Sequence, residues 1–382
     1  MFNELKNKCE EMEKEQLLSN CYIEELNIVP IDDAPILASL IKEKFGFSIS
    51  EEELIANMGN KGTGLGIAFP GDGKFQCYPI SDLAYNTIFE RAGFGKSPTV
   101  LLKTSSTNRA DAMCPDDKAA ILNKGIKLQK GKCLVIERNK KVLAVHSDKY
   151  VYLSPSEILE KMKETLTGID YAVTGYELCD EYMTATVRIE DVSLKKEIEK
   201  VFLQFGKDIS DYSTGIILAT SDVSLSSVCI FPVLLDKANK PAFILAESSK
   251  VAHTGDASIE KVGLAFAKTM TCFSSIDKVF DVFKAMPIKY AGCIFYLTSR
   301  LGFDKESCLK YYEEFLDEFS SSDGSMYATG ADLLCKVFEM IDECREKLKL
   351  TTIKEIQLYE TVFRRIKYHL VEDDLPFVNS EV

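Results

Sequence analysis

Histidine is scarce in this 382-residue chain, with residues 146, 253 and 369 its only three. Twelve cysteines are present, yet none forms a Cys-x-x-Cys pair and none lies in a close Cys/His grouping. That spacing argues against a zinc ribbon, a zinc finger or a thioredoxin-like site, which need paired ligands a few residues apart. Cys133 in Cys-Leu-Val-Ile and Cys229 in Val-Cys-Ile-Phe sit inside apolar runs, where a thiol behaves as a small hydrophobe. Reduced, structural thiols in a cytosol are therefore expected. No stretch approaches the roughly 18 apolar residues of a membrane helix, and residues 1–10 hold no apolar signal-peptide core. The expectation is a cytoplasmic protein without a membrane partner.

Positive charge is also in short supply. The chain has 46 Lys+Arg against 59 Asp+Glu, a formal charge of −13, which argues against a uniformly basic nucleic-acid coat. The average hides a segregation, because residues 61–150 carry 15 Lys+Arg against 8 Asp+Glu, a balance of +7. Residues 1–60 come to −8 and residues 151–382 to −12.

The familiar catalytic and phosphate-binding motifs are missing. Glu90-Arg-Ala-Gly-Phe-Gly95-Lys96-Ser97 ends like a P-loop, but Glu90 occupies the place of the first glycine and Pro98 follows. A carboxylate there repels phosphate, and the proline limits the helix that should begin. Gly62, Gly64 and Gly66 do not complete a dinucleotide fingerprint, since position 67 is Ile. His146-Ser147-Asp148 offers hydrolase residue types, but consecutive strand residues point to opposite faces and cannot form a relay among themselves. Glu313, Glu314, Asp317 and Glu318 lie on a helix with its own apolar face and read as a solvated surface, not a metal cage. No catalytic residue, cofactor or metal is implied.

Along the chain, hydrophobic periodicity predicts an α+β fold. Residues 1–60 read as a small helical N-terminal segment, with further helices from Asp32 to Gly46 and from the capping box Ser50-Glu-Glu-Glu53 to Gly59. Residues 61–73 carry five glycines and predict a loop or Gly-rich hairpin, the best candidate for a boundary. Residues 61–255 then form a mixed core of largely antiparallel sheet. Within it Ser81 opens a short helix, and Cys133–Ile136 and Val142–Val145 make a hairpin. Ser154-Pro155-Ser156-Glu157 caps a helix, and Met183–Ile189 alternates as a half-buried strand. Three apolar runs between 215 and 246 read as sheet, with Pro232 at an edge or bulge. Residues 256–382 are helical.

The basic stretch supplies the candidate site. Lys103, Arg109, Lys124, Lys127, Lys130, Lys132, Arg138, Lys140 and Lys141, with Lys118, fall in a loop-rich region and on the hairpin tip, where long cations reach phosphates. Tyr85, Phe94, Tyr150 and Tyr152 are nearby aromatics for base stacking. The plain alternative is that this segment simply balances the acidic remainder.

The run from Ile80 to Lys96, then Lys132–Ile136, then Val142-Leu-Ala-Val-His-Ser-Asp-Lys-Tyr-Val-Tyr-Leu153 and its helix, resembles the phage/plasmid-like proteins grouped as domain of unknown function 932. The resemblance continues through Gly215-Ile-Ile-Leu-Ala-Thr-Ser-Asp222, His253-Thr-Gly255 and Gly330–Leu334, over roughly residues 75–370. The family's Cys-x-Asn-Gly and Asn-Ala-x-Thr are absent, near Asp236–Lys240 and at Leu334–Val337. The family offers no catalytic set to transfer. The resemblance implies a mobile-element origin, phage or prophage, and action in the host cytoplasm.

Three readings follow. The first is a non-enzymatic accessory of recombination, replication or DNA protection, with DNA as partner. The second is an anti-defence factor that blocks a host defence protein through its acidic surface. The third is a metal-dependent nuclease, which lacks a motif. Self-assembly is compatible with each, and the sequence names no interface.

Overall fold

The computed structural model describes residues 1–30, 64–71, 74–95, 114–204, 206–223, 225–288, 292–300, 303–343 and 351–369. The chain begins with helix α1 (Phe2–Lys14), strand β1 (Gln16–Tyr22), a 3-10 turn (Ile23–Glu25) and β2 (Asn27–Pro30). There follow β3 (Leu65–Gly71), β4 (Lys74–Pro79), α2 (Asp82–Arg91), α3 (Pro115–Leu128), β5 (Lys132–Arg138) and β6 (Lys141–Ser147). The next stretch holds α4 (Pro155–Thr165), β7 (Tyr171–Leu178), β8 (Met183–Ile189), α5 (Val192–Leu203), β9 (Ser213–Thr220), β10 (Val228–Leu235), β11 (Pro241–Ile244) and β12 (Ser249–Val251). Helices α6 (Ile259–Phe273), α7 (Ile276–Lys284), α8 (Gly292–Arg300), α9 (Lys305–Phe319), α10 (Gly330–Glu343) and α11 (Thr352–His369) complete it. This is the α+β class that the periodicity predicts, with a helical C-terminal third. Among the described residues, no helix is long and apolar enough to cross a membrane.

The strands form three antiparallel sheets: β1-β5-β6, β2-β3-β4, and a larger one running β11-β10-β9-β8-β7 with β12 beside β10. The two small sheets share a core with α2 and α3, in which Ile28, Phe69, Ile88, Leu122 and Val135 are buried. The large sheet and the C-terminal helices share a second core around Leu218, Ile230, Phe266, Phe338 and Phe363. Every residue of β10 is buried, so both of its faces are covered, as a continuous apolar run implies. Helix α1 places Leu5 and Cys9 in this second core, although β1 directly after it belongs to the first.

Three expectations change. Residues 16–22 form a strand where the pattern predicted helix, because their partner is β5, far downstream, in a register that pairs Cys21 with Cys133. The glycine-rich stretch forms the expected hairpin, with 65–71 as strand β3 of β3–β4, but it is not a boundary, because β2 pairs with β3. The sequence on either side of that stretch therefore shares one sheet instead of being divided there. The helices expected over 32–46 and 50–59 lie outside the described residues. Pro232 sits inside β10, not at an edge. On the side away from β9 it falls between the short pairings of β12 (to 228–230) and β11 (to 233–235), a gap in the ladder that tolerates proline.

Local chemistry explains the elements around the site. Ser81 Oγ accepts the Ala84 N–H at 3.0 Å and starts α2, and Gly93, at φ +85°, follows its end. The β5–β6 hairpin turns through Asn139 (φ 52°) and Lys140 (φ 56°), the left-handed pair of a type I′ turn. At the other end of β6, Tyr150 bridges to Thr254, and the Val151 N–H donates to His253 O at 2.7 Å. These bonds tie the first lobe, the two small sheets with α2 and α3, to the segment that follows β12 in the second lobe, the large sheet with the C-terminal helices.

Candidate functional site

The nine basic candidates do not share one surface. Lys103 and Arg109 lie outside the described residues. Lys124 and Lys127 stand one turn apart on α3 and are exposed. Lys130 follows, 3.7 Å from Glu24 of the 3-10 turn, and Lys132 opens β5 with its ammonium 5.9 Å from the centre of the exposed Tyr22 ring. Tyr22 and Lys132 are cross-strand partners. Lys124 and Lys127 precede the other two on the last turns of α3, and Lys130 and Lys132 therefore sit at the open end of the β5–β6 hairpin, Lys132 against Tyr22. Exposed Lys140 and half-buried Lys141 sit at its closed tip, about 20 Å away at roughly 3.3 Å per strand residue. Lys118 is buried on α3.

Arg138 requires correction as a surface cation. It is 1% exposed. One nitrogen, Nη2, donates to Asp222 Oδ2 at 2.8 Å and to Gln16 Oε1, while Nη1 donates to the Asp180 carbonyl at 2.8 Å. The guanidinium thus joins the start of β1, the β7–β8 turn and the β9–β10 connection. A buried carboxylate and guanidinium must find each other, and Asp222 is the partner that local sequence could not reveal.

Of the aromatics expected to stack bases, Tyr85 is buried in the first core and Phe94 packs on Phe89 with ring centres 5.3 Å apart. Tyr152 is half-buried. Tyr150 instead stacks on two histidines. Its ring lies 3.8 Å from that of His146 and 5.3 Å from that of His253, within 4° and 6° of parallel. The three rings line a cleft of about 470 Å³ between the lobes, together with Glu90 and Arg91 from the last turn of α2, Ser147, Ser226, Ser227 and Thr254.

Hydrogen bonds set the protonation of both imidazoles. The Asp222 carbonyl can only accept. It therefore takes the His146 Nε2–H at 2.9 Å and the Tyr150 hydroxyl at 2.9 Å, which leaves His146 Nδ1 as the acceptor nitrogen of a neutral ring. His253 Nδ1–H donates to Val151 O at 3.2 Å, leaving Nε2 to face the Thr220 hydroxyl at 3.5 Å. Burial holds His146 down at about 4 and lowers His253 below its ordinary value, so both are uncharged at neutral pH. Burial likewise raises the Tyr150 phenol. Burial pushes the Asp222 carboxyl upward too, against the pull of Arg138.

The cleft is therefore lined by two neutral, hydrogen-bonded imidazoles, by hydroxyls, and by one guanidinium already joined to a carboxylate, since Arg91 and Glu90 are 3.0 Å apart. Among the described residues, no group of three or more His, Cys, Asp or Glu is placed to hold a metal ion. The acidic face of α9 meets basic residues, with Glu314 and Glu318 lying 3.3 and 3.5 Å from Lys336. Sequence reasoning missed this cleft as a unit. The signal was a pair of His-hydroxyl dipeptides after apolar strands, His146-Ser147 and His253-Thr254, with Ser221-Asp222 between them. No protein-family model, curated protein or solved structure matches this chain.

Proposed function

We propose that this protein is a non-enzymatic, nucleic-acid-binding accessory of a mobile genetic element, and that it holds a single strand on the corner formed by Lys124, Lys127, Lys130, Lys132 and Tyr22. The observation that carries the reading is exposed Lys132 over the face of the exposed Tyr22 ring, with exposed Lys124, Lys127 and Lys130 in the eight residues before it. Cations that track phosphates beside a ring that accepts any base are the ingredients of sequence-tolerant single-strand binding. The mobile-element setting is supported by the resemblance of motifs over residues 80–153 and 215–255.

The test is fluorescence anisotropy with a labelled single strand across a salt series, with magnesium present and the DNA afterwards run on a gel. The expected result is tight binding that weakens steeply with salt and leaves the strand whole. Changing the four corner lysines to Gln should make the log-affinity against log-salt slope shallower by about 3. Cleavage of the strand would overturn the non-enzymatic reading. Absence of binding at low salt would overturn nucleic-acid binding and favour the protein-inhibitor alternative.

A further inference from the structure

We propose that Cys21 and Cys133 form a redox site, at which a small-molecule disulfide oxidises the two thiols to a cross-strand bond that clasps the edge strand β1 to β5. The bond forms whether or not a nucleic-acid strand is held nearby.

The register sets the two residues for this. Cys21 and Cys133 stand directly opposite each other in the antiparallel β1–β5 pair, and their Sγ atoms are 3.5 Å apart in a thiol–thiol hydrogen bond. The Ile23 N–H donates to Gly131 O at 2.9 Å, so the pair two positions along is of the hydrogen-bonded kind, with Cα atoms about 5.5 Å apart. A disulfide spans Cα separations of roughly 4.4–6.8 Å, so the sulfurs can close to about 2.05 Å by side-chain rotation, without a shift of either strand. Cys9 offers a contrast. Its sulfur neighbour, also 3.5 Å away, is the Met183 thioether, which cannot make such a bond.

Access to the pair is governed by β1. Both thiols face the first core, and the bond to Cys21, followed by burial, raises the Cys133 thiol far above its ordinary value. A seated β1 thus protects the pair, and reaction waits for the strand to lift. Among the described residues β1 pairs with β5 alone, and it leaves Leu18, Asn20 and Tyr22 in solvent, which makes it an element that opens locally at low cost. Cys21, on this outer strand, loses its proton and attacks one sulfur of the oxidant, whose other half leaves as a thiolate. Cys133 then loses its proton and attacks Cys21 Sγ as β1 returns, expelling the second half. Two protons and two electrons leave the protein pair, and the oxidant becomes two thiols. The product joins residues 112 positions apart and fixes the register of the adjoining Tyr22–Lys132 pair.

The experiment uses the full chain carrying Cys114→Ser and Cys179→Ser, which removes the two cysteines exposed among the described residues. It is equilibrated with mixtures of reduced and oxidised glutathione, quenched in acid and mapped by mass spectrometry without reduction. A peptide linked through Cys21 and Cys133 should appear as the oxidised share rises, and dithiothreitol should return it to two thiols. Because the bond closes a long loop in the unfolded chain, the linked form should be unfolded on the order of a thousandfold less often, read as a higher urea midpoint. Cys21→Ser should abolish that rise, and the peptide map of its parent decides the bond even if the variant fails to fold. Cys21 and Cys133 left as thiols, or capped separately by glutathione, across the whole series would overturn the redox site. A linked peptide with an unchanged midpoint would overturn the clasp.

Discussion

The two ends of the β5–β6 hairpin carry the same kind of sequence and opposite physics. At the open end, Lys130 and Lys132 remain in solvent, next to Tyr22 and beside a cleft whose imidazoles are neutral. At the closed end, Arg138 is sealed between Asp222, Asp180 and Gln16. A basic residue becomes a surface cation or an internal bolt according to what distant segments bring to it. Asp222, 84 residues away, decides the matter for Arg138. The open end thus leaves its cations in solvent, and the closed end holds the two lobes together.

The largest effect should come from breaking the closed end. Arg138→Met leaves Asp222 buried without its cation, which costs about 3–5 kcal/mol. Chemical unfolding should show this loss, and Asp222→Asn added to Arg138→Met should recover part of it, because the stranded charge is then gone. By contrast, Lys130→Gln at the open end should move stability by less than about 0.5 kcal/mol. Equal costs at the two ends would abolish the distinction.

Next in size is the response of the cleft to acid. His146 titrates at about 4 in the folded chain and near 6.5 when unfolded, so between those values the unfolded state binds the extra proton. Stability should therefore fall as pH drops from about 6.5 to about 4, by on the order of 3 kcal/mol. His253, lowered in the same direction, adds to the loss. His146→Gln keeps an N–H for the Asp222 carbonyl and removes the titration, and its unfolding midpoint should vary less across that window. An unchanged profile in the variant would place the acid sensitivity elsewhere.

The elements legible in the sequence were those whose signals are local. The cap at Ser154, the hairpin around Arg138–Lys141 and the alternation of Met183–Ile189 each declare themselves within a dozen residues, and each is present. Strand β1 was not legible, because it follows a Glu- and Lys-rich helix and is held extended only by β5. The site was half legible for the same reason. Charge segregation located the lysines without the tyrosine that lies against Lys132. The cleft draws on α2, β6 and the segments after β9 and β12, which meet only in three dimensions.

The smallest prediction separates the tip from the corner most directly. Lys140 holds φ at 56°, in the left-handed region that disfavours a side chain, and it occupies the turn position where glycine serves best. Its backbone N–H donates to Glu137 Oε1 at 3.1 Å, a bond that glycine can keep. Lys140→Gly should therefore stabilise the protein by about 0.5–1 kcal/mol, after allowing for the extra freedom glycine gains in the unfolded chain. Because the tip stands about 20 Å from Lys132 along the strand, the same substitution should leave single-strand affinity within twofold of the parent. If affinity fell with the four-lysine variant and with Lys140→Gly alike, the strand would have to run the length of the hairpin, and its two ends would belong to one binding surface.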